Sequence, residues 1–104
     1  MVFLKKFEKG AKTMWYNVKA VLDDDKTMEI NVSVRQNAKL QTVFVRCINE
    51  IGRKLIKNKI IPETARYSYE LPNIWQNGGV GAAWFNDPFI NITIQQKNGA
   101  WLAL

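Results

Sequence analysis

The stretch TMEINVSVRQNAKLQTVFVRCINEIGRKLIK, residues 27–57, changes its hydrophobic period midway, and that change decides the fold. Over residues 27–35, Met28, Ile30, Val32 and Val34 alternate with Thr27, Glu29, Asn31, Ser33 and Arg35. A period of two marks a strand with one buried face. From about Lys39 the apolar positions are Leu40, Phe44, Cys47, Ile48, Ile51 and Leu55, and their spacing of three and four predicts an amphipathic helix. Val45, Gly52 and Ile56 widen its apolar arc, as suits a helix lying across a sheet; Gly52, with no side chain, predicts a close approach. Asn37 is the expected N-terminal cap, and Asn58 with Pro62 beyond it the expected stop.

The flanking segments read as strands. Residues 14–22 alternate Tyr16, Val18, Ala20 and Leu22 with Trp15, Asn17, Lys19 and Val21, and the polar run Asp23-Asp24-Asp25-Lys26 joins them to residues 27–35 as a hairpin. After the helix, residues 64–71 alternate Ala65, Tyr67, Tyr69 and Leu71 with polar residues, predicting a third strand. Residues 72–88 are rich in Gly, Asn and Pro and read as a long, partly packed loop, with room for a short strand near residues 82–85. Residues 89–96 alternate Ile90, Ile92 and Ile94 with Asn91, Thr93 and Gln95, and Asn98-Gly99 signals a tight turn into a returning strand at residues 100–104.

This order predicts an α+β fold: a β-hairpin and one amphipathic helix packed on a mixed or antiparallel sheet of four to five strands. Over residues 14–71 the order resembles that of the β-grasp superfold, which includes ubiquitin-like domains. The resemblance implies an architecture and no activity. Residues 14–104 are read as one domain. Residues 1–13, where Phe3, Leu4 and Phe7 stand among Lys5, Lys6, Lys9 and Lys12, are read as a basic mobile arm or a segment docked on the sheet.

A chain of 104 residues with 47% hydrophobic content suits one core and is too apolar for a disordered tail. It contains no His, the commonest general base and metal ligand. Cys47 is the single thiol, so it forms no disulfide within the chain and reads as a small core residue rather than a nucleophile. The Asp23–Asp25 cluster lacks the further spaced ligands of a calcium loop. Gly78-Gly79-Val80-Gly81 lacks the Lys-Ser/Thr ending of a phosphate-binding loop and the spaced third glycine of a dinucleotide site. No cofactor or metal is expected, and the chain reads as a binder, not an enzyme. No signal-peptide pattern or membrane-length apolar run occurs, so the expected setting is cytoplasmic, and Asn31-Val32-Ser33 and Asn91-Ile92-Thr93 read as strand residues rather than glycosylation sites. The Asn- and Lys-rich composition suits an AT-rich bacterial or mobile-element genome.

The net charge of +6 is concentrated. Residues 1–13 carry a net +3 and residues 39–59 a net +5, while the remainder is slightly acidic. At about 100° per residue, Lys39, Arg46, Arg53 and Lys57 form one stripe opposite the apolar arc, with Lys54 and Lys59 adding to it. Glu50 lies within reach of Arg46, Arg53 and Lys54, so the stripe is either a face laced by ion pairs or one that tracks phosphates. The polar face of the first hairpin carries Trp15, Lys19 and Arg35, a composition suited to stacking and hydrogen-bonding bases or to an ordinary sheet surface. Trp75 and Trp84 either extend that platform or seal the core, and exposed Trp is typical of protein-binding hot spots. The leading expectation is a small module that binds a protein partner; the alternative is nucleic-acid binding through the helix stripe and arm. An open edge at residues 100–104 would allow a homodimer by strand pairing.

Overall fold

The computed structural model describes residues 13–23, 26–71 and 80–97. The two alternating segments form the expected hairpin: β1 (Thr13–Val21) pairs antiparallel with β2 (Thr27–Arg35), one residue opposite one over their whole length. The helix α1 (Leu40–Lys57) follows, then β3 (Tyr67–Glu70), β4 (Val80–Asn86) and β5 (Phe89–Lys97). The five strands form one sheet in the order β2-β1-β5-β4-β3, and every neighbouring pair is antiparallel. The fold is therefore α+β, with the antiparallel alternative realised.

The alternation dictates what is buried. Tyr16, Val18, Ala20, Val32 and Val34 from the hairpin, Ala83 and Phe85 from β4, and Ile90, Ile92 and Ile94 from β5 all project to one face. There α1 lies on them through Val43, Phe44, Cys47, Ile48, Ile51 and Leu55, which are almost or wholly inaccessible. Each such large side chain contributes about 1.5–3 kcal/mol by leaving water. The helix lies mainly over β2 and β1. An aromatic cluster continues the core toward β3: Phe44 meets Tyr69 at 5.6 Å between ring centroids, Tyr69 stacks beside Tyr67, and Tyr67 and Phe85 meet in a T-shaped pair. The close approach expected at Gly52 is made to a ring rather than to backbone; a Cβ there would lie 3.1 Å from Cζ of Phe85.

The ends of α1 differ from one another. Asn37 does not cap it: the N-cap is Lys39, with extended backbone and no side-chain hydrogen bond, because the turn after β2 sets the helix start two residues later than the asparagine. Asn58 does end it, its Nδ2 donating to the Lys54 carbonyl at 2.7 Å. The Lys59 N–H then donates to the Ile56 carbonyl and the Ile60 N–H to that of Leu55, both at 2.9 Å, the paired bonds of a Schellman ending. Lys59 takes the left-handed conformation this ending demands, at φ 60°.

Two expectations are corrected beyond the helix. The third strand is shorter than residues 64–71, because Thr64 and Ala65 belong to a turn closed by the Ala65 N–H on the Pro62 carbonyl. The long loop is not continuous, since residues 80–86 form a full strand paired on both sides. A turn at Asp87-Pro88, with a cis peptide bond, joins it to β5. Trp75, the Asn98-Gly99 turn, the returning strand at 100–104 and all of the basic arm except Thr13 lie outside the described residues.

Candidate binding surfaces

Because α1 covers one face of the sheet, the opposite parity of every strand defines an outer face. Across its rows stand Ser33 and Trp15 with Lys97; Asn31 and Asn17 with Gln95; Glu29 and Lys19 with Thr93 and Ala82; and Val21 with Asn91 and Trp84. Trp84 is thus brought onto the same face as Trp15, Lys19 and Arg35 and does not seal the core. Trp15 and Trp84 stand about 22 Å apart on the diagonal, from six residues along a strand and two strand spacings across. Amides and hydroxyls occupy the space between them.

Two of the charges on this face, Lys19 and Glu29, lie side by side. Glu29 faces Lys19 Nζ at 3.9 Å and accepts a hydrogen bond from Asn17 Nδ2 at 3.1 Å, and the same Asn17 nitrogen donates to Asn31 Oδ1 at 3.3 Å. Lys19 thus has a carboxylate beside it on the same face. At one corner the face turns apolar: Asn91 is flanked by Val21 on β1, Trp84 on β4 and, two residues back on its own strand, Phe89. Phe89 is 64% exposed and Val21 44%. Phe89 is absent from the residues singled out by sequence, although a signal existed, for it is the lone aromatic on the polar parity of β5.

The cations of the helix lie on the other side of the molecule. Lys39, Arg46, Arg53 and Lys57 are all exposed, spread over about 27 Å of helix, along the side of α1 turned away from the sheet. Of the three partners within reach of Glu50, only Arg53 is engaged, at 2.9 Å. Lys54 leaves the stripe; its Nζ reaches over the edge of β2 to the Glu29 carbonyl at 3.4 Å. A shallow hollow between Thr42, Val45, Arg46, Asn49 and Arg53 marks this surface. Among the described residues the sequence-predicted sites therefore divide: Trp15, Lys19, Arg35 and Trp84 stand on the outer face of the sheet, Lys39, Arg46, Arg53 and Lys57 on the side of α1 turned away from it, and Lys54 reaches the β2 edge.

Cys47 belongs to neither. It is fully buried under the helix, and burial pushes its thiol up to about 12, with Arg46 lowering it and Glu50 raising it in lesser degree. A thiol held protonated in that way is no nucleophile at neutral pH. Burial also raises the Tyr16 phenol, against the lowering effect of its hydrogen bond to Gln96. Among the described residues no three His, Cys, Asp or Glu side chains cluster as metal ligands, and no helix is long and apolar enough to cross a membrane. The chain matches no protein-family model, no curated protein and no solved structure.

Proposed function

We propose that this chain is a small non-catalytic module that docks a protein partner on the outer face of its sheet. The observation that carries the reading is the apolar corner of Val21, Trp84 and Phe89 on an otherwise amide-rich, nearly charge-balanced face. Aromatic anchors ringed by polar groups that exclude water are the arrangement that concentrates binding energy in protein interfaces. Glu29 beside Lys19 offsets part of the positive charge of this face, which favours a protein partner over a nucleic acid there. A cytosolic setting is part of the same proposal.

The test is recovery of partners by the immobilised chain from its host's lysate, with and without nuclease. A protein that survives nuclease, is retained by Arg46→Glu, and is lost on Phe89→Ser or Trp84→Ala supports the reading. Retention by both outer-face variants overturns it.

A second reading rests on a different observation, the exposed Lys39, Arg46 and Lys57, which form no ion pair among the described residues. It assigns nucleic-acid binding to the helix face. Binding to an oligonucleotide would then fall steeply with salt, and Arg46→Glu would weaken it while Phe89→Ser would not.

A further inference from the structure

The outer edge of β2 runs for nine residues, without proline or bulge, in one-to-one register with β1. Its hydrogen-bonding parity is fixed twice over. The Leu22 N–H donates to the Lys26 carbonyl at 2.7 Å, which makes the even-numbered residues of β2 those that face β1. Independently, the Glu29 carbonyl is reached from outside the sheet by Lys54. The N–H and C=O groups of Thr27, Glu29, Asn31, Ser33 and Arg35 therefore point away from the sheet. An edge of this kind is a template for another strand.

We infer that β2 pairs antiparallel with β2 of a second copy of this chain, about a two-fold axis at Val32, to make one continuous ten-stranded sheet. The occupant is argued from self-complementarity. Centring the axis on Val32 sets Glu29 opposite Arg35 of the mate, and by symmetry Arg35 opposite its Glu29, in adjacent outward-facing positions. Asn31 meets Ser33 in the same way. On the inner face Val32 meets its own copy and the half-buried Ile30 meets Val34, which continues the core across the axis. Moving the axis by one residue either way loses both charge pairs: centred on Asn31 the register sets Glu29 against Ser33, and centred on Ser33 it sets Arg35 against Asn31. The Glu29 carbonyl held by Lys54 and the Arg35 carbonyl that accepts from Ala38 each keep a second lone pair for the mate's amide.

The experiment is sedimentation of the full chain over a concentration series, with far-UV circular dichroism to show that each variant is folded. The chain sediments as a species of twice its 12.0 kDa mass at high concentration. Arg35→Glu, which sets like charges opposite one another twice per dimer, weakens the dimer by about tenfold or more, and Glu29→Arg combined with Arg35→Glu restores it. Ser33→Pro removes an outward N–H and no bond within the sheet, and it yields a folded monomer. A wild-type chain that stays monomeric to several hundred micromolar overturns the inference. So does a dimer indifferent to Ser33→Pro, or a double charge exchange that fails to restore association.

Discussion

Gly52 of the helix meets the ring of Phe85, which reaches it from β4, and their contact makes a substitution change sign with its neighbour. Gly52→Ala in a helix interior gains about 1 kcal/mol of intrinsic helix propensity. The new methyl carbon would sit 3.1 Å from Cζ of Phe85, a few tenths of an ångström inside ordinary contact. Phe85 is 4% exposed and forms a T-shaped pair with Tyr67, so it has little freedom to retreat. Overpacking of a filled core costs about 1–3 kcal/mol, so the net effect of Gly52→Ala is a loss of about 1 kcal/mol. Phe85→Leu has no Cζ; alone it costs about 1–1.5 kcal/mol through the space it leaves. In that background Gly52→Ala becomes stabilising by about 1 kcal/mol, since propensity remains and the clash has gone. The interaction energy of the cycle is then about 2 kcal/mol, well above the scatter of independent sites. Urea denaturation of the four proteins, followed by circular dichroism at 222 nm, measures it. Additivity within about 0.5 kcal/mol would refute the reasoning, as would stabilisation by Gly52→Ala in the wild-type background.

Two further outcomes follow from the helix ending and from the buried thiol. Lys59→Gly relieves a left-handed residue and, after the entropy glycine adds to the unfolded chain, should stabilise by about 0.5–1 kcal/mol, raising Tm by a few degrees, whereas Lys59→Val should lower it. A thermal melt in which Gly fails to exceed Lys would exclude strain at that position. For Cys47 the folded-state value lies above the unfolded one, so between about pH 9 and 12 the unfolded chain has lost a proton that the folded chain keeps. Stability from this group is full below pH 9 and declines above it, by at most about 1.4 kcal/mol per pH unit. Tyr16 adds to the decline above pH 10. Cys47→Ala should flatten the part between pH 9 and 10, and an unchanged alkaline limb in that variant would contradict the burial argument.

The elements legible in advance were those whose periodicity is carried by large apolar side chains. Val18 and Ile30, or Phe44 and Ile51, announce their faces without reference to any partner. β4 was less legible because its buried parity runs Gly81, Ala83, Phe85, and small residues carry almost no hydrophobic signal until a neighbouring strand and a helix close over them. With only a short strand allowed near residues 82–85, the face on which Trp84 stands stayed open; the register with Asn91 and Ser68 decides it. The cations of α1 were readable from helical geometry alone, apart from Lys54, which lies about 100° round the helix from Arg53 and so reaches the β2 edge.

Local chemistry by itself determined the first hairpin, the helix, the inward and outward parity of β1, β2, β3 and β5 and the concentration of charge on α1, because these depend on spacing within a few residues. Tertiary structure alone decided that β5 lies between β1 and β4, since the alternation of Ile90, Ile92 and Ile94 would satisfy any neighbour, and only the whole sheet selects one. From that choice come the arrangement of Trp15, Trp84, Val21 and Phe89 on one face, the placement of the helix cations on the opposite side, and the exposure of β2 as an edge. Which surfaces exist is a matter of residue type and period; which residues share a surface is a matter of strand pairing across distant parts of the chain.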